Sequence, residues 1–137
     1  MRATDAEVQH SVRERAKHRC EYCRFPEAFA EAPFEVDHVI ARQHGGTKLL
    51  ENLALACCFC NRFKGPNLSG VDPLSDQVVP LFHPRFDHWE EHFEWNGSWL
   101  VGRTANGRAT IQALRLNRPD AIAVRQILMR EGVYPAS

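Results

Sequence analysis

Two pairs of cysteines constrain this chain more than any other feature: Cys20-Glu21-Tyr22-Cys23 and, further on, Cys57-Cys58-Phe59-Cys60. Each pair has the spacing of a metal knuckle, and two knuckles can present four sulfurs at tetrahedral angles. The spacing predicts a zinc site built from Cys20, Cys23, Cys57 and Cys60. Cys58 is the odd residue of five cysteines, and an odd count suits a disulfide framework poorly. Choosing Cys57 and Cys60 keeps a two-residue spacer on both sides, which leaves Cys58 as a small core or surface residue. The competing readings are buried free thiols, or a disulfide in a secreted chain.

The chain has 137 residues, near the usual size of one domain, and its 44% hydrophobic and 25% charged residues are the balance of a globular protein. No apolar run approaches the roughly 18 residues of a membrane span. The first residues, Met1 to Glu7, lack the apolar stretch of a secretory signal. The expectation is a cytoplasmic chain with no membrane partner. Seventeen basic residues against 17 acidic ones give no net charge, which removes the simplest argument for a nucleic-acid partner. A local basic patch or a bound metal ion would still supply one.

A Thr4-x-x-Glu7 capping box opens a predicted helix from about Asp5 to Lys17. Val8, Val12, Arg15 and Ala16 form its modest stripe, with Arg13, Glu14 and Lys17 solvated. Phe25 to Pro33 reads as loop. Phe34 to Ile40 reads as a strand, Gln43 to Thr47 as a glycine-bearing turn, and Leu53 to Ala56 as a short strand entering the second knuckle. Asn61 to Lys64 belongs to a helix that Gly65-Pro66 ends. Asp72 to Pro84, with three prolines, reads as an extended connection over the core. Phe93 to Gly102 reads as a hairpin about Asn96-Gly97, and Pro119 opens a last helix closed by Gly132.

Thirty-three residues separate Cys23 from Cys57, more than the roughly 15 to 20 of a zinc ribbon. That interval carries Asp37 and His38 on the strand and Asn52 in the loop, and Asn61 follows the last cysteine directly. A carboxylate and an amide oxygen are hard ligands suited to Mg2+ or Mn2+. A neutral imidazole beside them can take a proton from an attacking water. Together they point to hydrolysis of a phosphodiester.

Cys20-x-x-Cys23, Val36-Asp37-His38-Val39-Ile40, Gly45-Gly46, Glu51-Asn52-Leu53 and Ala56-Cys57-x-x-Cys60-Asn61-x-x-Lys64-Gly65 resemble the HNH endonucleases. The resemblance covers residues 20–65, and a looser one to the C-terminal extension of small bacterial members covers parts of 81–110. It implies an α+β fold whose ββα-metal (His-Me finger) core is stapled by the four-cysteine zinc. Around that core lie an N-terminal helix and a C-terminal hairpin plus helix, in one domain over 1–137 with its extension at 72–137. It further implies Asp37 and Asn61 as ligands of a catalytic Mg2+ or Mn2+, with His38 as general base. Asn52 would brace the loop between the strands, and Arg62 and Lys64 would be surface phosphate contacts. The implied reaction is cleavage of DNA, as nicks by a monomer or weak homodimer. An RNA substrate is left open, and the rival class is a non-catalytic zinc module that binds nucleic acid or protein.

Two features sit awkwardly with this. Adjacent residues of a regular strand face opposite sides, so Asp37 and His38 can serve one site only if the strand twists, bulges or ends there. Glu35 shares the face of Asp37. Separately, His88-Trp89-Glu90-Glu91-His92 fits the letters of a zinc-peptidase motif. It lacks a third ligand and a long helix, and its aromatic neighbours read as core.

Overall fold

A computed structural model of the chain describes residues 5–135. Helix α1 (Asp5–Ala16) leads into the first knuckle and buries Val12 and Ala16. The Thr4 end of the expected capping box lies outside the described residues. Arg13 departs from expectation: it is half-buried, paired with Glu27 at 3.2 Å and donating to the Phe34 carbonyl at 2.8 Å. It fastens α1 to the loop after the first knuckle.

Strands β1 (Glu35–His38) and β2 (Leu53–Ala56) pair antiparallel, Glu35 opposite Ala56 and His38 opposite Leu53. β2 is buried throughout, which its uninterrupted Leu-Ala-Leu-Ala sequence permits. The connection between them turns back sharply at Gly46, where a Cβ would collide with the Ile40 carbonyl. Helix α2 (Cys58–Lys64) follows β2 directly and packs on both strands. Cys57 caps it, its sulfur accepting from the Cys60 amide at 3.4 Å, so the second knuckle and the helix start are one structure.

The stretch expected to be an extended connection is instead a second hairpin, β3 (Ser69–Val71) with β4 (Val78–Pro80). Its strands are too short to show periodicity. Asp72 holds its turn by accepting from Leu74 N and Ser75 Oγ and from both ends of the Arg108 guanidinium at 2.9 Å.

A short helix α3 (Trp89–His92) runs into the third hairpin, β5 (Phe93–Asn96) and β6 (Trp99–Gly102). Asn96 pairs with Trp99, so the turn centres on Gly97-Ser98 rather than on Asn96-Gly97, with Gly97 at φ +61°. Helix α4 (Ala105–Ala113), unforeseen in the sequence, packs on β3, β4 and β6. Gly107 and Thr110 make it a weak helix former, but Thr104 caps it by accepting from Gly107 N at 3.0 Å. Helix α5 (Pro119–Arg130) starts on its proline as expected.

The molecule is thus mixed α and β, and one contiguous apolar core joins its parts. Val12 of α1, Tyr22, Leu55 and the knuckle cysteines share that core with Leu81, Phe82, Trp89, Phe93, Leu114 and Leu116. Among the described residues no helix is long and apolar enough to cross a membrane.

Candidate active site

The two knuckles meet. The sulfurs of Cys20, Cys23, Cys57 and Cys60 all lie within 4.8 Å of one another, and Cys23 Sγ is 3.9 Å from Cys57 Sγ. Four sulfurs about 2.3 Å from a tetrahedral zinc would lie roughly 3.8 Å apart, close to the spacing of this quartet. The thiols of Cys20, Cys23 and Cys60 donate toward Cys57 and pull its pKa far down. Hydrogen bonding with Cys20 holds Cys23 and Cys60 well above their ordinary value. One thiolate forms readily here, and a cation is what would draw off the remaining protons. Cys58 is half-buried outside the quartet, as expected. Among the described residues no other group of three histidine, cysteine or acidic side chains is placed to hold an ion. The His88–His92 motif is therefore not a metal site: His92 Nδ1 bonds Thr104 Oγ1 at 2.6 Å and its ring packs on Phe82.

The quartet lies where β2 enters α2, and so fixes the helix against β1. Asp37 and Asn61 sit on these two elements. Asp37 is largely buried, and both of its partners meet Oδ2: Tyr22 donates its phenol proton at 3.2 Å, and Lys64 Nζ lies 3.9 Å away. Burial raises the Asp37 pKa, against the pull of Lys64. Lys64 is not the surface residue expected. It is 2% exposed, and its ammonium donates to the Val39 carbonyl at 2.7 Å. The reason is its place on α2, on the side that meets β1. Arg62 is exposed on the same helix.

Asn61 donates its side-chain amide to Glu35 Oε2. The alternation of β1 puts Glu35 and Asp37 together on the face toward α2.

His38 is the last residue of β1, and the pairing with β2 is regular through it. The strand ends at His38 with no bulge among its paired residues. The ring's Nε2 is buried with no hydrogen-bond partner among the described residues. Burial lowers the His38 pKa, and the charges of Arg42 and Lys48 lower it further. Both come from the loop between β1 and β2, where sequence alone gave no reason to single them out.

Asn52 locks that loop. Its Oδ1 accepts from Ile40 N at 2.9 Å, and its Nδ2 donates to the carbonyls of Ile40 and Thr47 at 3.0 and 2.8 Å. Its backbone carbonyl accepts from Val39 N at 2.9 Å. A side chain with one acceptor and two donors, all used, is what a buried turn needs, and the brace expected at Asn52 is what the geometry contains.

The sequence reading also missed Tyr22, which appeared only as a spacer inside the first knuckle. Buried there, its ring reaches from the knuckle to Asp37 and meets Phe82 edge-on at 6.5 Å. Glu21, beside it, accepts from Leu55 N at 2.7 Å and pairs with Arg85. The C-terminal part of the chain thereby presses directly on the site.

Against known proteins, residues 20–67 match the model of the HNH endonuclease family. No curated protein and no solved structure matches the chain at a significant level. The family match covers the β1–β2–α2 unit and both knuckles, about a third of the chain. It gives nuclease chemistry as the general class of activity and a nucleic acid as the class of substrate. The four-cysteine cluster within it is able to hold a metal ion such as zinc.

Proposed function

We propose that this protein is a single-domain, metal-dependent endonuclease that nicks DNA at a ββα-metal site formed by β1, β2 and α2. The reading is carried by His38. Its Nε2 is buried, without a partner among the described residues, at the end of the strand that holds Asp37, inside the segment that matches the nuclease family.

Asp37 and Asn61 are the oxygen donors for Mg2+ or Mn2+, and their hardness fits those ions. When bound, the ion supplies positive charge for the phosphate as negative charge develops on it. The rest is done by the chain's own groups. His38, held neutral by burial and by Arg42 and Lys48, accepts a proton from the attacking water as the water oxygen bonds to phosphorus; one bridging P–O bond of the phosphodiester breaks, and the departing oxygen takes a proton from solvent. Asn52 holds the loop that carries Arg42 and Lys48. Arg62 contacts the phosphate backbone. Lys64 neutralises Asp37 from within and does not reach the substrate. Zn2+ in the cysteine quartet is structural, since all four positions are taken by sulfur and none is left for water. With zero net charge the chain binds DNA modestly and salt-sensitively, as a monomer or weak homodimer.

Incubation of supercoiled plasmid with Mg2+, Mn2+ or EDTA tests this, using wild type and Asp37→Ala of equal zinc content and a matched RNA in parallel. The expected result is nicking that requires metal and Asp37. Cleavage of the RNA alone would move the substrate assignment. Cleavage of neither would leave a non-catalytic zinc module.

A further inference from the structure

Asn61 offers a metal an amide, and an amide has two unlike ends. Only the oxygen can bind a cation; the NH2 group can only donate. A ligand of this kind works when something decides which end faces the ion. We infer that Glu35 does so, as a positioning residue that turns the oxygen of Asn61 toward the metal; this rests on the nuclease reading given above.

An ionised carboxylate can only accept, so the group of Asn61 that meets Glu35 Oε2 must be Nδ2. With Nδ2 held there, Oδ1 points away from Glu35. Asp37 is treated the same way: Tyr22 and Lys64 both engage Oδ2, leaving Oδ1. Each proposed ligand is therefore held by one end, and among the described residues Asp37 Oδ1 and Asn61 Oδ1 are the oxygens of these two ligands with no hydrogen-bond partner.

The placement of Glu35 follows from periodicity. Glu35 and Asp37 are two apart on β1, roughly 6.6 Å, while Asn61 and Lys64 are one turn apart on α2 at a rise of about 4.5 Å. The two elements thus meet in two matched contacts, Glu35 with Asn61 and Asp37 with Lys64. Among the described residues Glu35 pairs with no cation. It is exposed and takes no part in the core, so stability does not account for an acidic residue at this strand position.

Glu35→Gln is the informative change. It keeps the shape, but a glutamine can donate to Asn61 Oδ1 as readily as it accepts from Nδ2, so both orientations of the amide become available. Mn2+ binding is read from the spectrum of the free ion in wild type, Glu35→Gln, Asn61→Asp and the double variant, with melting temperature and zinc content confirming an unchanged fold. In the native background Glu35→Gln is expected to weaken Mn2+ binding about 10-fold, as loss of an orienting partner does. In the Asn61→Asp background both ends are oxygen and orientation is immaterial, so the same change is expected to cost little. In that background the change also relieves the repulsion between the carboxylates at positions 35 and 61, which acts toward tighter binding, so an equal loss there cannot come from orientation. Equal losses in the two would overturn the positioning role while leaving the metal site intact. Wild type that binds no Mn2+, or binds it as Asp37→Ala does, would remove the metal site itself and this inference with it.

Discussion

Between Cys20 and Lys64 the chain buries groups that need partners alongside its apolar side chains; beyond Ser69 it buries mainly groups that need only to be dry. The first stretch places four thiols, Glu21, Asn52 and Lys64 out of solvent. The second contributes Leu81, Phe82, Trp89, Phe93, Leu100, Leu114, Leu116 and Tyr134, with Asp72 and Arg125 as the buried charges. A buried thiolate, carboxylate or ammonium costs stability unless it is paired, whereas a buried ring or leucine adds it in proportion to the area covered. The nuclease-like segment therefore holds the site at a cost in buried polar groups, and the C-terminal part adds the larger share of the rings and leucines in the core the two have in common. The join is specific: Trp89 donates its indole NH to the Tyr22 carbonyl at 2.9 Å, and Tyr134 donates to the Cys23 carbonyl at 2.5 Å.

The sharpest way to break the first region is at its metal. Cys20→Ala leaves three sulfurs around a position built for four. Structural zinc contributes on the order of 10 kcal/mol or more to the folding of small modules, so this variant is expected to lose its ion and its cooperative melt. Full zinc content and an unchanged melting temperature would show that the quartet is not a structural metal site.

The second region is tested by Phe82→Ala. Phe82 touches Tyr22, His92 and Phe93, and its truncation is expected to cost about 3–5 kcal/mol in a denaturant titration. If the C-terminal part supports the site, the loss appears in one transition that includes the knuckles. Two separate transitions would mean that the halves fold independently.

Lys64→Met is a smaller break, within the site. It strips the Val39 carbonyl of its donor and Asp37 of its nearest cation, at an expected cost of about 1–3 kcal/mol. It should also raise the pKa of Asp37 further, so Mn2+ binding should fade at a higher pH than in wild type.

The mildest effect is on pH dependence. The base must be neutral, and burial with Arg42 and Lys48 lowers the pKa of His38. Activity should therefore rise with pH along a limb whose midpoint lies below about 6.5, the ordinary histidine value. Arg42→Gln should move that midpoint upward. A wild-type midpoint above 6.5 would contradict the environment assigned to His38.

How far the sequence alone reached follows the same division. The meeting of the four knuckle sulfurs and the hydrogen bonds of Asn52 were legible because spacing and residue chemistry fix them locally; Asp37, His38 and Asn61 were singled out by the same spacing, and their roles are those proposed above. Helices α1 and α5 were legible from caps, proline and periodicity. The β3–β4 hairpin was not, because three-residue strands carry no pattern and their pairing depends on Asp72 reaching Arg108, 36 positions away. Helix α4 was obscured by Gly107, whose weak propensity is offset by its cap and packing. Within the site, Lys64 read as surface because no local rule says which side of a short helix will meet a strand. Tyr22 was missed for a similar reason: its link to Asp37 exists only after the knuckle has folded.

The most direct test of the account compares wild type with His38→Ala in single-turnover nicking of supercoiled plasmid under Mg2+ or Mn2+. The two proteins are purified identically and matched for zinc content. Loss of a general base is expected to slow nicking about 100- to 10,000-fold, with Mn2+ binding and melting temperature unchanged. Equal rates for the two proteins would contradict the account, because the group on which the proposed chemistry turns would then play no part in it.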